Sequence, residues 1–125
     1  MNEGTRVQDY KQLLVWQKAM QLAEQIYQLT RGFPADERFA LVAQMRRAAV
    51  SVPSNIAEGQ ARRTTGEFVR FLSHAQGSLA EVDTQLLLSV RLGFCSQSKA
   101  DPILALIVEL RKMLASLRRK LVADH

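Results

Sequence analysis

One cysteine, Cys95, and two histidines, His74 and His125, are all the chain offers of the side chains that most often staple folds or bind metals. A single thiol excludes an intramolecular disulfide and gives no sign of an oxidising compartment, so a cytoplasmic protein is expected. No apolar run approaches the roughly 18 residues of a membrane span. The stretch from Met1 to Lys11 is polar and mixed in charge, without the apolar centre of a secretory signal. It reads as a flexible leader to a single domain covering residues 1–125. The glycines at positions 4, 32, 59, 66, 77 and 93 are scattered as punctuation, so no phosphate-cradling glycine loop exists.

The same scarcity excludes most chemistry. Di-metal helical proteins use a Glu-x-x-His pair on each of two helices, and none is present: Glu24, Glu58, Glu81 and Asp83 have no histidine at ligand spacing. No metal or cofactor is expected. Ser73 and His74 are adjacent on a helix and point about 100° apart, so they do not form a nucleophile–base pair. Cys95 lies two residues after Gly93, in a connection with no histidine nearby in sequence. The reading is of a non-enzymatic protein.

What is abundant is helical periodicity, and 47% apolar content in 125 residues is enough for one core without staples. A first helix from about Leu13 to Arg31 places Trp16, Ala19, Met20, Ala23 and Tyr27 on its core face, and Gly32-Phe33-Pro34 ends it with a left-handed turn at the glycine. A second starts near Asp36, carries Leu41, Met45, Ala48, Ala49, Val52 and Ile56, and continues through a kink at Pro53 to about Gln60. Thr64-Thr65-Gly66-Glu67 has the form of a capping box. The third helix it opens buries Phe68, Phe71, Leu72, Ala75, Leu79, Val82, Leu86 and Val90, and stops at Gly93. The last begins near Ser98 to Pro102, with Asp101 as cap and Pro102 in the first turn, and runs to about Val122 on a stripe from Ile103 to Leu121. The expectation is all-α: an up-down-up-down antiparallel four-helix bundle.

Two surfaces remain. Ser73, Gly77, Ala80 and Thr84 make a small-residue stripe on the third helix with Leu87 and Leu88 beside it, and Leu104 and Val108 leave the core stripe of the fourth. Exposed apolar patches of this kind favour self-association, so these residues are the candidate oligomer interface. Seventeen Lys and Arg against twelve Asp and Glu leave +5, and the excess is clustered. Arg111, Lys112, Arg118, Arg119 and Lys120 lie opposite the apolar stripe of the last helix with no acidic residue among them. Arg62 and Arg63 fill the connection before the third helix, and Arg70 follows. These eight are the candidate nucleic-acid contacts, since a clustered basic surface is what holds a polyanion. Arg46 and Arg47, inside a helix, are expected to pair with carboxylates such as Glu24 or Glu81. With Trp16 and Tyr27 assigned to the core, the contact would be to phosphate and would read shape.

The segments Leu13-Leu14-Val15-Trp16-Gln17-Lys18-Ala19 and Gln44-Met45-Arg46-Arg47-Ala48-Ala49-Val50-Ser51-Val52-Pro53-Ser54-Asn55-Ile56-Ala57-Glu58-Gly59 carry a resemblance. So do Glu67-Phe68-Val69-Arg70-Phe71-Leu72, Gly77-Ser78-Leu79-Ala80-Glu81 and Gln85-Leu86-Leu87. Together they resemble the four-helix bundle proteins encoded by intervening sequences in bacterial 23S rRNA genes. That family is similar to the accessory variability protein of diversity-generating retroelements, a basic homopentamer that associates with a reverse transcriptase and nucleic acid. The resemblance implies a four-helix protomer, a pentamer, and binding of nucleic acid, RNA before DNA. The alternative is a protein-interaction scaffold whose oligomer recruits a partner such as a reverse transcriptase, with the cations serving solubility or an acidic partner surface. By the same resemblance Ser51, Ser54 and Asn55 would hydrogen-bond within the irregular segment around Pro53.

Overall fold

A computed structural model of the chain describes residues 9–124. The proposed flexible leader falls largely on residues 1–8, outside the described residues, as does His125. Asp9 accepts from the Lys11 amide at 2.9 Å and caps a 3-10 turn at Tyr10–Gln12. Four helices follow: α1 (Leu14–Thr30), α2 (Leu41–Gln60), α3 (Thr65–Arg91) and α4 (Gln97–Ala123). No strand occurs among the described residues.

Side chains that meet across the helix seams fix the directions. Thr30 meets Arg46, Ser51 meets Ser78, Gln76 meets Arg118, Asp83 meets Arg111, and Lys18 meets Glu109. Where two pairs share a seam, as between α3 and α4, one residue number rises as the other falls, so those helices are antiparallel. The short connections from Gln60 to Thr65 and from Arg91 to Gln97 require the same of consecutive helices. Each helix packs on two neighbours, α1 on α2 and α4, and α3 on α2 and α4. The centre is filled by Leu22 and Ile26 of α1, Met45 and Ile56 of α2, Leu72, Leu79 and Leu86 of α3, and Ile107, Leu110 and Leu114 of α4, all inaccessible to solvent or nearly so.

The helix ends carry most of the differences from the sequence expectations. α2 starts at Leu41, because Asp36 belongs to a separate 3-10 turn at Ala35–Glu37. Gly32 is not left-handed; its amide donates to Leu29 and that of Phe33 to Thr30, so α1 ends in tightened turns. Gly93 does take a positive φ of 78°. Phe94 N–H donates to Ser89 O and Gly93 N–H to Val90 O, the paired bonds of a Schellman cap. Phe94 then packs on Phe33 at 5.7 Å, joining two connections at one end of the bundle. The cap of α4 is Ser96, whose Oγ accepts from the Lys99 amide at 3.2 Å; Asp101 instead accepts from Gln97, and Pro102 lies inside the helix.

α2 continues through Pro53 as the sequence suggested. Asn55 Nδ2 donates to Ser51 O at 2.8 Å and to Ser51 Oγ at 2.9 Å, and Ser78 Oγ donates to Ser51 Oγ at 2.9 Å. A polar cluster thus ties α2 to α3 through residues that flank the proline on both sides; Ser54 faces solvent. Near the end of the same seam, Gly59 lets the backbones close. A Cβ there would stand 2.8 Å from Phe71 Cβ and 2.9 Å from Phe68 Cδ1.

Candidate nucleic-acid interface

Antiparallel packing puts the end of α2, the start of α3 and the end of α4 at the same end of the bundle. The two cationic clusters, far apart in sequence, therefore share that end: Arg62, Arg63 and Arg70 from one, Arg118, Arg119 and Lys120 from the other. Arg111 and Lys112 lie about 10 Å further along α4, at 1.5 Å per residue.

Within the cluster the side chains differ. Arg63, Arg70, Lys112, Arg119 and Lys120 are exposed, and none pairs with a carboxylate among the described residues. Arg62 stands 3.7 Å from Glu58 and lays its guanidinium 4.7 Å from the Phe71 ring, an exposed pairing of little net energy. Arg111 is neutralised across the seam by Asp83 at 3.1 Å. Arg118 donates through Nη1 to Gln76 Oε1 at 2.7 Å, and its Nε is buried with no acceptor among the described residues. The ridge of five equivalent cations on the last helix is therefore corrected. Arg118 turns into the α3 seam and Arg111, still exposed, is paired with Asp83, leaving Lys112, Arg119 and Lys120 as the exposed cations without a carboxylate partner among the described residues.

The helix termini shape the local field. The N-terminus of α3 presents its positive dipole end beside Arg62 and Arg63, and Thr64 Oγ1 takes the Glu67 amide at 3.1 Å, the forward half of the capping box. The cations in the last turns of α4 complement the negative end of its dipole. Arg46 was expected to pair with a carboxylate and does not: it donates to Thr30 Oγ1 at 2.9 Å and to Tyr27 O at 3.3 Å, and lies 4.5 Å over the Tyr27 ring. Arg47 is exposed.

On the other candidate surface, Gly77, Ala80 and Thr84 are exposed, as are Leu87, Leu88 and Val108, each more than two-fifths accessible. Ser73 Oγ and Thr84 Oγ1 donate back to Val69 O and Ala80 O, so their hydroxyls are satisfied inside the helix. Leu104 departs from the expectation by packing against the core of its own bundle.

A match with the 23S rRNA-intervening sequence protein family covers residues 11–116. The chain belongs to that family. No curated protein matches it in sequence. Among solved structures, a protein of unknown function from the S23 ribosomal protein family of Bacteroides thetaiotaomicron is similar, with a TM-score of 0.79 at 22% identity over 85% of this chain and 96% of that one. At that identity the likeness speaks to the fold alone. No helix among the described residues is long and apolar enough to cross a membrane.

One surface of this family member escaped the sequence reading. Met20 and Tyr27 were assigned to the core, yet they are 39% and 40% exposed, while Val15, Leu22 and Ile26 take the buried positions. Trp16 is half-buried, with Tyr10 edge-on at 5.3 Å. The signal was available: apolar residues cover α1 over an arc wider than one packing face needs.

Proposed function

We propose that this chain is a non-enzymatic, oligomeric four-helix bundle protein of the cytoplasm that binds nucleic acid, structured RNA before DNA, by phosphate contacts at its cationic end. One observation carries the reading: Arg63, Arg70, Arg119 and Lys120, drawn from two distant sequence clusters, stand exposed at one end of the bundle without carboxylate partners among the described residues. Arg62 and Lys112 extend that surface, and Arg111 and Arg118 contribute less, being already engaged with α3. Phosphate contacts position a nucleic acid and read its shape, which suits a site without free aromatic faces among its cations.

Binding through these residues must weaken steeply with salt, because each neutralised phosphate releases counterions. Titration with a structured RNA and with a DNA duplex of equal length, each at two salt concentrations, tests it. Tighter RNA binding that falls with salt supports the reading; no binding at low salt, or indifference to salt, rejects it.

The exposed stripe of Gly77, Ala80, Thr84, Leu87, Leu88 and Val108 supports self-association, a pentamer by family resemblance. Light scattering should then report a mass several times 14.1 kDa. The same apolar surface supports the second reading, a scaffold that recruits a protein such as a reverse transcriptase. Replacing Arg119 and Lys120 by Glu separates the two, since only the first reading loses function with those charges.

A further inference from the structure

We infer that Gln76 of α3 is a positioning residue of the cationic end, holding the Arg118 guanidinium so that its open Nη2 side takes one phosphate of the bound nucleic acid at the α3–α4 seam. The inference rests on the nucleic-acid reading and adds to it a residue that carries no charge. Arginine has donors only, so the contact from Arg118 Nη1 ends on the amide oxygen of Gln76, at a distance of 2.7 Å that suits a charged donor. Both residues are half-buried. Arg118 Nε is closed off from solvent without an acceptor, whereas Nη2 is not buried and has no partner among the described residues. One nitrogen of the fork is anchored, one is enclosed and one faces water.

The arrangement lacks a counter-charge. A guanidinium drawn out of water is ordinarily met by a carboxylate, and Gln76 is neutral. The nearest carboxylates along α3, Glu81 and Asp83, are engaged by Gln85 and Arg111. On α4, Glu109 is taken by Lys18, and Asp124 forms no ion pair with Arg118. The neighbouring charges are instead positive. Arg119 and Lys120 follow Arg118 directly, and Lys112 lies about 9 Å back along α4 at 1.5 Å per residue. Arg118 therefore stands between the terminal cations and Lys112, in line for a phosphate backbone that runs along the seam. The tie to α3 that lowers its share of the attraction gives it a fixed bearing. Phosphate rewards that, because its oxygens pair with an arginine fork by geometry as well as by charge. A side chain ordered before binding also loses less freedom on binding.

The experiment separates orientation from charge by measuring affinity for a structured RNA hairpin across a range of salt. Gln76→Ala keeps every cation, so it should bind about three- to tenfold more weakly, the cost of ordering one long side chain, with the parent's salt slope. Gln76→Glu supplies the counter-charge from within and should flatten that slope by about 0.7–0.9. Arg118→Lys, a point charge without the fork, should behave as Gln76→Ala does. Added to Arg118→Ala, the Gln76→Ala change should cost nothing further. Nuclear magnetic resonance supplies a reading that needs no RNA: the Arg118 Nε–H signal should be sharp and slow to exchange in the parent, and averaged in Gln76→Ala. Parent-like binding by Gln76→Ala, an equal loss with and without Arg118, or an Arg118 signal already averaged in the parent overturns this inference and leaves the nucleic-acid reading standing. A parent that does not bind RNA at low salt overturns both.

Discussion

Two glycines separate packing from freedom at the level of single residues. At Gly59 an added methyl would meet Phe71 Cβ at 2.8 Å and Phe68 O at 3.3 Å, so α2 and α3 would have to part. Gly59→Ala should cost about 1–3 kcal/mol of stability by urea denaturation, the range of overpacked cores. At Gly77 nothing lies within 4 Å of the same methyl. Gly77→Ala should therefore stabilise the isolated fold by about 0.5–1 kcal/mol, since alanine restricts the unfolded chain and favours helix. If it lowers the oligomeric mass instead, the small stripe is the contact it was taken to be. Cys95 supplies a pH prediction. Partial burial holds its thiol above the ordinary range against the opposing charge of Lys99. The folded state thus keeps a proton that the unfolded chain releases, so this contribution is complete at neutral pH and is lost as pH rises past the unfolded thiol's range. Alkylation by iodoacetamide at mildly alkaline pH should be slower in the folded protein than in urea. Chemistry of this kind was beyond the sequence, because Gly59 and Gly77 look alike there and only the facing helix tells them apart.

Helices were legible where periodicity is strong and misread where a choice between equivalent signals was needed. The core positions of α2 and α3 stand largely as their spacing indicated, with Phe71 and Val90 half-buried. On α1 both Trp16–Met20–Tyr27 and Val15–Leu22–Ile26 keep helical spacing, and burial goes to the second set because α2 and α4 approach from that side. Sequence alone does not say where neighbours stand. At the start of α4 the sequence pointed to Asp101 as cap, whereas the Lys99 amide donates to Ser96 Oγ. Ser96→Ala should then lower stability by about 1 kcal/mol, and Asp101→Ala by a few tenths, in parallel thermal melts. Equal losses would return the cap to Asp101.

The cationic end exists only in the folded molecule, since antiparallel packing brings Arg63 and Arg70 to the same end as Arg119 and Lys120, which lie about fifty or more residues later in the chain. The partners that engage Arg111 and Arg118, Asp83 and Gln76, sit on a different helix, which is why the sequence suggested a uniform ridge. Whether the position of charge or only its total matters is decided by the far end. Arg31, Arg38, Arg91 and Lys99 cluster there around the α1–α2 and α3–α4 connections. Reversing Arg63, Arg70, Arg119 and Lys120 to Glu changes the net charge by as much as reversing those four. A diffuse field would weaken RNA binding equally in both variants, because long-range attraction follows total charge. Local phosphate contacts predict otherwise: the first variant should lose binding, and single reversals within it should each flatten the slope of log affinity against log salt by about 0.7–0.9. The second should keep the parent slope and lose affinity only modestly. Equal slopes and equal losses in the two variants would mean that the molecule attracts RNA without an address for it.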